Sequence, residues 1–250
     1  AASYKKLEFV FKDLPQFDIC NFEVLQAFII NNNINGVINC AAYTAVDKAE
    51  NNQREALRLN AIFPKILSQW CFENKCFLIH YSTDYVFSGQ GTFVKTEASE
   101  TEPVNYYGKT KLAGEKTVET NTSKWSIIRT STPFGKHYLK KTFPVWVYEN
   151  LKNNKKINVL EDQFTSPTYI PNLSKMILEI ILRSLEGIFH LSGSTKISRF
   201  EFAKMIATKF DLNLSLLNPV KIDSMPWKAI RPIDSSLDIS KINTLLKTKP

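Results

Sequence analysis

Glycine is scarce in this chain. Its 250 residues include only eight glycines, and neither a G-x-G-x-x-G nor a G-x-x-G-x-x-G run occurs among them. A glycine-rich phosphate-cradling turn is therefore missing from these residues. Histidine is rarer still. His80, His137 and His190 stand far apart, and His80 and His190 lie in strand-like apolar runs. That pattern argues for core or edge positions over metal ligation, and no metal is expected. The four cysteines, Cys20, Cys40, Cys71 and Cys76, form no C-x-x-C pair. They read as free thiols of a reducing, cytoplasmic compartment. Long apolar runs are absent as well. MILEIIL at Met176–Leu182 is interrupted by Glu179 and is far too short to span a bilayer, and no signal-peptide pattern opens the chain, so no membrane partner is expected. No arginine-rich stripe accompanies the net charge of +8. The lysines scatter, with short clusters at Lys5–Lys6, Lys140–Lys141 and Lys155–Lys156. This excludes an obvious nucleic-acid footprint and leaves a solvated basic surface, or attraction for a small polyanion such as a nucleotide.

What is present is ordinary globular material, 44% hydrophobic and 22% charged, enough for one domain or a closely joined pair. Leu7–Phe11 reads as a short strand and Phe22–Asn33 as a helix. Gly36–Ala42 is a β-branched strand ending on small residues. Val46–Asn74 is helical, with a kink or break expected at Pro64. Cys76–Ser82 is an apolar strand, Asn105–Asn121 a helix and Trp125–Arg129 a strand. A helix at Phe143–Lys152, a strand at Ile157–Leu160, a helix at Pro171–Leu185, a strand at Gly187–Leu191 and a helix at Arg199–Phe210 follow. Apolar strands alternating with amphipathic helices predict an α/β fold, a Rossmann-type doubly wound parallel sheet with a smaller C-terminal substrate-binding part. The expected division is 1–131 plus 172–192 for the dinucleotide-binding domain, and 132–171 plus 193–250 for the substrate-binding part. Ligands of such sheets lie beyond the carboxyl ends of the strands, where Ala41–Thr44, Ser82–Asp84 and Arg129–Thr132 would converge.

A doubly wound sheet has its first strand near the centre. Deleting it would orphan backbone groups at about 1–3 kcal/mol each, against a typical domain stability of ~5–15 kcal/mol. Leu7–Phe11 is therefore expected to be the second strand, with a first βα unit preceding Ala1.

The stretch NYYGKTKLAGE at Asn105–Glu115 sets Tyr107 and Lys111 on one face of a helix. A fixed ammonium beside a phenol is expected to lower the phenol's pKa from ~10 and suit it to deliver a proton. The spacing alone is weak, since composition supplies about one match, and Tyr148–Lys152 is a second that reads as accidental. The hydroxyl and carboxylate of Thr83 and Asp84, ending the preceding strand, give the first pair its context.

Four stretches carry a resemblance: INCAAYTAVDKAE at Ile38–Glu50, HYSTDYVFSG at His80–Gly89, NYYGKTKLAGE, and IIRTS at Ile127–Ser131. KAIRPIDSSLDISKI at Lys228–Ile242 is a fifth. Together they resemble the extended short-chain dehydrogenase/reductase superfamily, in its branch of nucleotide-sugar C4-ketone reductases. The resemblance implies NADPH or NADH as cofactor and hydride transfer to the C4 ketone of dTDP-4-dehydro-L-rhamnose. It makes Tyr107 the general acid, Lys111 its tuner and ribose contact, and Thr83 a donor to the reacting oxygen. Asp18 and Ile19 match the adenine pair, and Ala41, Ala42, Tyr43 and Thr44 the turn lining the cofactor. Thr83, Asp84, Val46, Thr132 and Arg231 fall at substrate positions.

Several readings stay open. Asp18 is equally a turn or cap residue. Arg231 suits a diphosphate or a surface ion pair. Lys12 meets a 2′-phosphate, or Asp13 repels one. Thr132 stands where the family commonly has Trp, so Trp146 or Phe134 is a candidate to supply the sugar contact. Tyr85 stands where related dehydratases need an acidic base, which disfavours elimination chemistry. A non-catalytic nucleotide-binding regulatory subunit, resembling the methionine adenosyltransferase beta subunit, is the alternative to an enzyme. The expected state is a monomer or homodimer that binds a nucleotide sugar and no nucleic acid.

Overall fold

Consecutive residues of the buried strands face opposite sides of one parallel sheet, and that alternation organises the molecule. The computed structural model describes residues 7–12, 21–91, 94–135 and 141–250. Helix α1 (Phe22–Asn31) leads to strand β1 (Gly36–Asn39). Helices α2 (Val46–Asn51), α3 (Gln53–Leu57) and α4 (Phe63–Glu73) precede β2 (Phe77–Thr83), and α5 (Tyr106–Asn121) precedes β3 (Trp125–Thr130). Then come β4 (Pro133–Phe134), α6 (Phe143–Lys152), β5 (Ile157–Leu160), β6 (Phe164–Thr165), β7 (Thr168–Tyr169) and α7 (Ile170–Leu182). Strands β8 (Gly187–His190) and β9 (Ile197–Ser198), helix α8 (Arg199–Lys209), strand β10 (Leu217–Val220) and helix α9 (Ser240–Leu245) complete the order.

The main sheet runs β1-β2-β3-β8, all parallel. Leu78 and Ile127 pack with Leu25, Ile29, Leu67, Trp70 and Val118 of α1, α4 and α5. Their neighbours Ile79 and Ile128 pack on the other side with Leu173, Met176 and Ile180 of α7 and with Ile242 of α9. This is the doubly covered parallel sheet expected from the strand–helix alternation. A separate apolar cluster joins Val147 and Leu151 of α6 and Ala203 and Ile206 of α8 to Ile157 and Leu217 of the parallel β5–β10 pair. Among the described residues no helix is long and apolar enough to cross a membrane.

Two local expectations fail for identifiable reasons. Leu7–Phe11 is not a strand. A strand exists by pairing, and β1 pairs only with β2 among the described residues, while Phe9 and Phe11 stack on each other at 6.2 Å. The long helix at 46–74 does break, but not at Pro64. It divides at Asn52 and passes through a π-helical turn at Arg58–Ile62, leaving Pro64 in the first turn of α4, directly after that turn.

Candidate active site

Because β1, β2 and β3 are parallel, their carboxyl ends open on one edge. Thr83 pairs in register with Thr130, and Asn39 with His80. Helix α5 crosses this edge. Its cap is Asn105, whose side chain accepts from Gly108 N (2.8 Å) and donates to the Ile230 carbonyl (2.8 Å). A Cβ at Gly108 would stand 2.2 Å from the Tyr85 carbonyl oxygen, so only glycine lets the helix approach the end of β2 this closely. That approach brings Tyr107 to Thr83.

Burial raises the Tyr107 pKa, and hydrogen bonding with the Thr83 side chain offsets part of the rise. The nearby charges of Asp84 and Tyr85 add to it. The sequence-based expectation that Lys111 lowers the phenol is therefore reversed here. Lys111 is buried, and its ammonium donates to the Tyr81 carbonyl oxygen at 2.5 Å. Desolvation brings Lys111 down to about 8, against the opposing influence of Glu115 and Cys40. Tyr107 also meets Tyr85 edge-on, with ring centroids 5.9 Å apart.

Asp84 is 4% exposed and held by hydroxyls. One oxygen accepts from Thr83 Oγ1 (2.9 Å) and the other from Ser131 Oγ (2.7 Å). Burial pushes its pKa up, while hydrogen bonds from Ser131, Ser235 and Thr83 and the charge of Arg199 pull it back. Ser131 and Thr132 each share a 2.6 Å hydrogen bond with Thr165. Thr132 has φ +42°, a left-handed conformation that aims its hydroxyl at this network.

The turn after β1 is fixed by a residue that sequence reasoning missed. Asn60 sits in the π-helical turn and is fully buried. Its Oδ1 accepts from Tyr43 N (2.8 Å), and its Nδ2 donates to Tyr43 O (3.1 Å) and Thr110 Oγ1 (3.0 Å). Its own carbonyl oxygen lies 2.1 Å from where a Cβ on Gly114 would stand, which explains the AGE of the motif. The signal was the lone Asn inside an apolar helical run. Asn39 adds a second brace, accepting from Ala41 N at 3.1 Å and meeting His80 Nδ1 at 3.1 Å. Ala41 and Ala42 are small and half-buried, and Lys111 has a single acceptor among the described residues, leaving ammonium donors for a hydroxylated ligand. These features fit the ribose and nicotinamide end of a dinucleotide.

The remaining candidates separate. Arg231 pairs with Asp47, its Nη1 donating to Oδ1 (3.2 Å) and its Nη2 to Oδ2 (2.5 Å), and it stacks on Trp227 at 4.5 Å. Asp47 also accepts from Lys228 N and Ala229 N at 3.1 Å each, tying this C-terminal segment to α2 beside Val46. Phe134 packs on Tyr169 and Phe202, and Trp146 on Phe143. Tyr148 and Lys152 lie on α6, with the ammonium 5.5 Å from the ring centroid, and Tyr148 belongs to the α6–α8 cluster. Lys12 lies over the Phe28 ring at 4.7 Å. Thr44 follows the braced Tyr43. Asp18, Ile19, Asp13 and His137 lie outside the described residues. Also unforeseen was the buried pair Glu115–Arg129 (2.7 Å), which locks α5 to β3. No metal-binding group of three or more His, Cys, Asp or Glu occurs among the described residues.

A parallel sheet with a Tyr–Lys helix laid across strand-end hydroxyls defines a Rossmann-type protein of the short-chain dehydrogenase/reductase kind. More narrowly, the chain belongs to the RmlD substrate-binding domain family, whose model matches residues 1–250. It is 30% identical over 249 residues to the dTDP-4-dehydrorhamnose reductase of Aggregatibacter actinomycetemcomitans, covering 95% of this chain and 84% of that protein. The enzyme of the same name from Salmonella typhimurium is 34% identical over 218 residues, covering 82% and 71%. The crystal structure of dTDP-4-dehydrorhamnose reductase from Bacillus anthracis in complex with NADP superposes with a TM-score of 0.90 at 31% identity, over 98% of this chain and 88% of that one.

Proposed function

We propose that this chain reduces the C4 ketone of dTDP-4-dehydro-L-rhamnose to give dTDP-L-rhamnose, with NADPH or NADH as cofactor. The observation that carries this reading is buried Lys111 one helical turn from Tyr107 on α5, with Gly108 letting that helix close on the end of β2, where Thr83 stands. The reductases to which the chain is similar, one of them bound to NADP, supply the substrate class and favour an enzyme over a regulatory subunit.

A reduced nicotinamide dinucleotide supplies the hydride when bound. Negative charge then grows on the sugar C4 oxygen, where Thr83, its hydroxyl turning from Asp84, donates a hydrogen bond and Tyr107 a proton. The raised Tyr107 pKa keeps the proton on the phenol until that charge develops. Lys111 holds ribose hydroxyls and stabilises the phenolate left behind. Ala41, Ala42, Tyr43 and Thr44 line the cofactor, with Asp18 and Ile19 at the adenine. Asp84, Val46, Thr132 and Arg231 contact the nucleotide sugar, Arg231 through its diphosphate. The sheet unit, 1–131 plus 172–192, holds the cofactor, and 132–171 plus 193–250 bind the substrate. The protein works in the cytoplasm as a monomer or homodimer.

The test is the loss of reduced-nicotinamide absorbance with dTDP-4-dehydro-L-rhamnose. Tyr107→Phe should lower kcat by about 10²–10⁴-fold with NADPH affinity retained. Equal rates for the two proteins would sink the assignment. Comparing KM for NADPH and NADH decides the preference, and an unchanged NADPH KM in Lys12→Ala removes Lys12 from it.

A further inference from the structure

The guanidinium of Arg199 is held in place but not neutralised. Arg199 opens α8, and its backbone N–H donates to the Gln163 carbonyl at 3.0 Å. Its Nε makes a long 3.4 Å contact to Gln163 Oε1, and its guanidinium carbon lies 5.2 Å from the Phe143 ring centroid. Gln163 is itself buried, donating to the Pro232 carbonyl at 3.3 Å and hydrogen-bonding with Tyr85. The fork is thus oriented by stacking on one side and by an amide on the other. Yet no carboxylate of the described residues pairs with it. Acidic partners are given to other cations, Asp47 to Arg231 and Glu115 to Arg129. Asp84, whose charge acts on Arg199, spends its hydrogen bonds on Thr83 and Ser131.

Arg231 approaches the same place. The charges of Arg199 and Arg231 both act on Tyr85, and they repel each other. Tyr85 in turn meets Tyr107 edge-on at 5.9 Å. Two like charges gathered beside Tyr85, Arg231 shared with Asp47 and Arg199 with the Asp84 charge near it but no ion pair of its own among the described residues, leave room for a further anion. A guanidinium with its planar edge free matches a phosphoryl group in bidentate fashion.

We infer that Arg199 is a second binding residue for the phosphoryl oxygens of the nucleotide-sugar substrate, which lie between it and Arg231. The inference rests on the substrate class proposed above and adds a residue from α8, so that the helix takes part in recognition.

The test is calorimetric binding of dTDP and of thymidine to the NADPH-bound wild type, Arg199→Met and Arg199→Lys, with NADPH affinity measured alongside. Arg199→Met is expected to weaken dTDP by about tenfold or more, with thymidine and NADPH unchanged, and to flatten the salt dependence of dTDP binding. Arg199→Lys should fall between, keeping the charge without the fork. Equal losses for dTDP and thymidine would assign Arg199 a packing role and overturn the inference, as would an unchanged dTDP affinity in both variants. A wild type that binds no dTDP would overturn the substrate class first, and Arg199 with it.

Discussion

Asn60 and Tyr43 exchange two hydrogen bonds, Tyr43 N to Asn60 Oδ1 at 2.8 Å and Asn60 Nδ2 to Tyr43 O at 3.1 Å. A side-chain amide thereby copies a strand partner and holds the turn after β1 in an extended shape. Replacing it by Ala removes the partner of the Tyr43 N–H and carbonyl, at about 1–3 kcal/mol for each buried group left unpaired, while Thr110 keeps its bond to the Tyr107 carbonyl. Asn60→Ala should raise the NADPH KM and lower the melting temperature together. An unchanged KM in a folded variant would mean that the turn is held by other contacts.

Glu115 and Arg129 form a buried pair, 1% and 3% exposed at 2.7 Å. Arg129 also donates to the Glu97 carbonyl at 3.4 Å and covers the Phe87 ring. Glu115→Gln leaves a buried guanidinium without its counter-charge and should destabilise the protein by about 3–5 kcal/mol. Chemical denaturation reads this directly. Since the pair sits one helical turn below Lys111, the variant should also lose activity near its own folding threshold.

The pH dependence of the reaction should report Lys111 before Tyr107. Burial raises the phenol, so Tyr107 stays protonated through neutral and moderately alkaline pH. Lys111 loses its proton at about 8. The alkaline limb of kcat/KM should therefore fall near that value and move upward in Lys111→Arg. Stability runs the opposite way. The folded pKa lies below the unfolded ~10.4, so between the two the unfolded chain binds the extra proton, and this group's contribution to stability rises with pH. The stability gap between wild type and Lys111→Met, followed from neutral to about pH 10, checks the sign.

Glu179 pins the C-terminal residues to α7. It accepts from Lys247 N (2.8 Å) and Thr248 N (2.9 Å) and pairs with Arg183 at 2.9 Å. Burial raises its pKa, but these hydrogen bonds outweigh that and hold it down at about 2. The folded value lies below the unfolded ~4.3, so the stabilisation is complete above the unfolded pKa and lost as pH falls towards the folded one. Wild type should exceed Glu179→Gln in stability at neutral pH, and the difference should vanish towards about pH 2. A constant difference across that window would show that the tail is held by packing alone.

Much of this was decided by local pattern. Alternating β-branched strands and amphipathic helices specified the doubly covered sheet, because a strand buried on both faces has to be apolar throughout, as Leu78 with Ile79 and Ile127 with Ile128 are. Helix α6 and strand β5 run over the very residues their periodicity marked. The Tyr107–Lys111 spacing and the Thr83–Asp84 strand end were legible because a helix face and a strand terminus are short-range features. Tertiary structure alone decided the rest. Leu7–Phe11 has strand composition but no partner strand among the described residues, and pairing is a long-range event. The sign of the Tyr107 pKa shift depended on how deeply α5 buries the phenol and on Lys111 turning to the Tyr81 carbonyl. Arg199, Gln163 and Asn60 lie outside the motifs in sequence. They reach the crevice only because the chain returns to the carboxyl edge of the sheet, where contact, not spacing, defines a site.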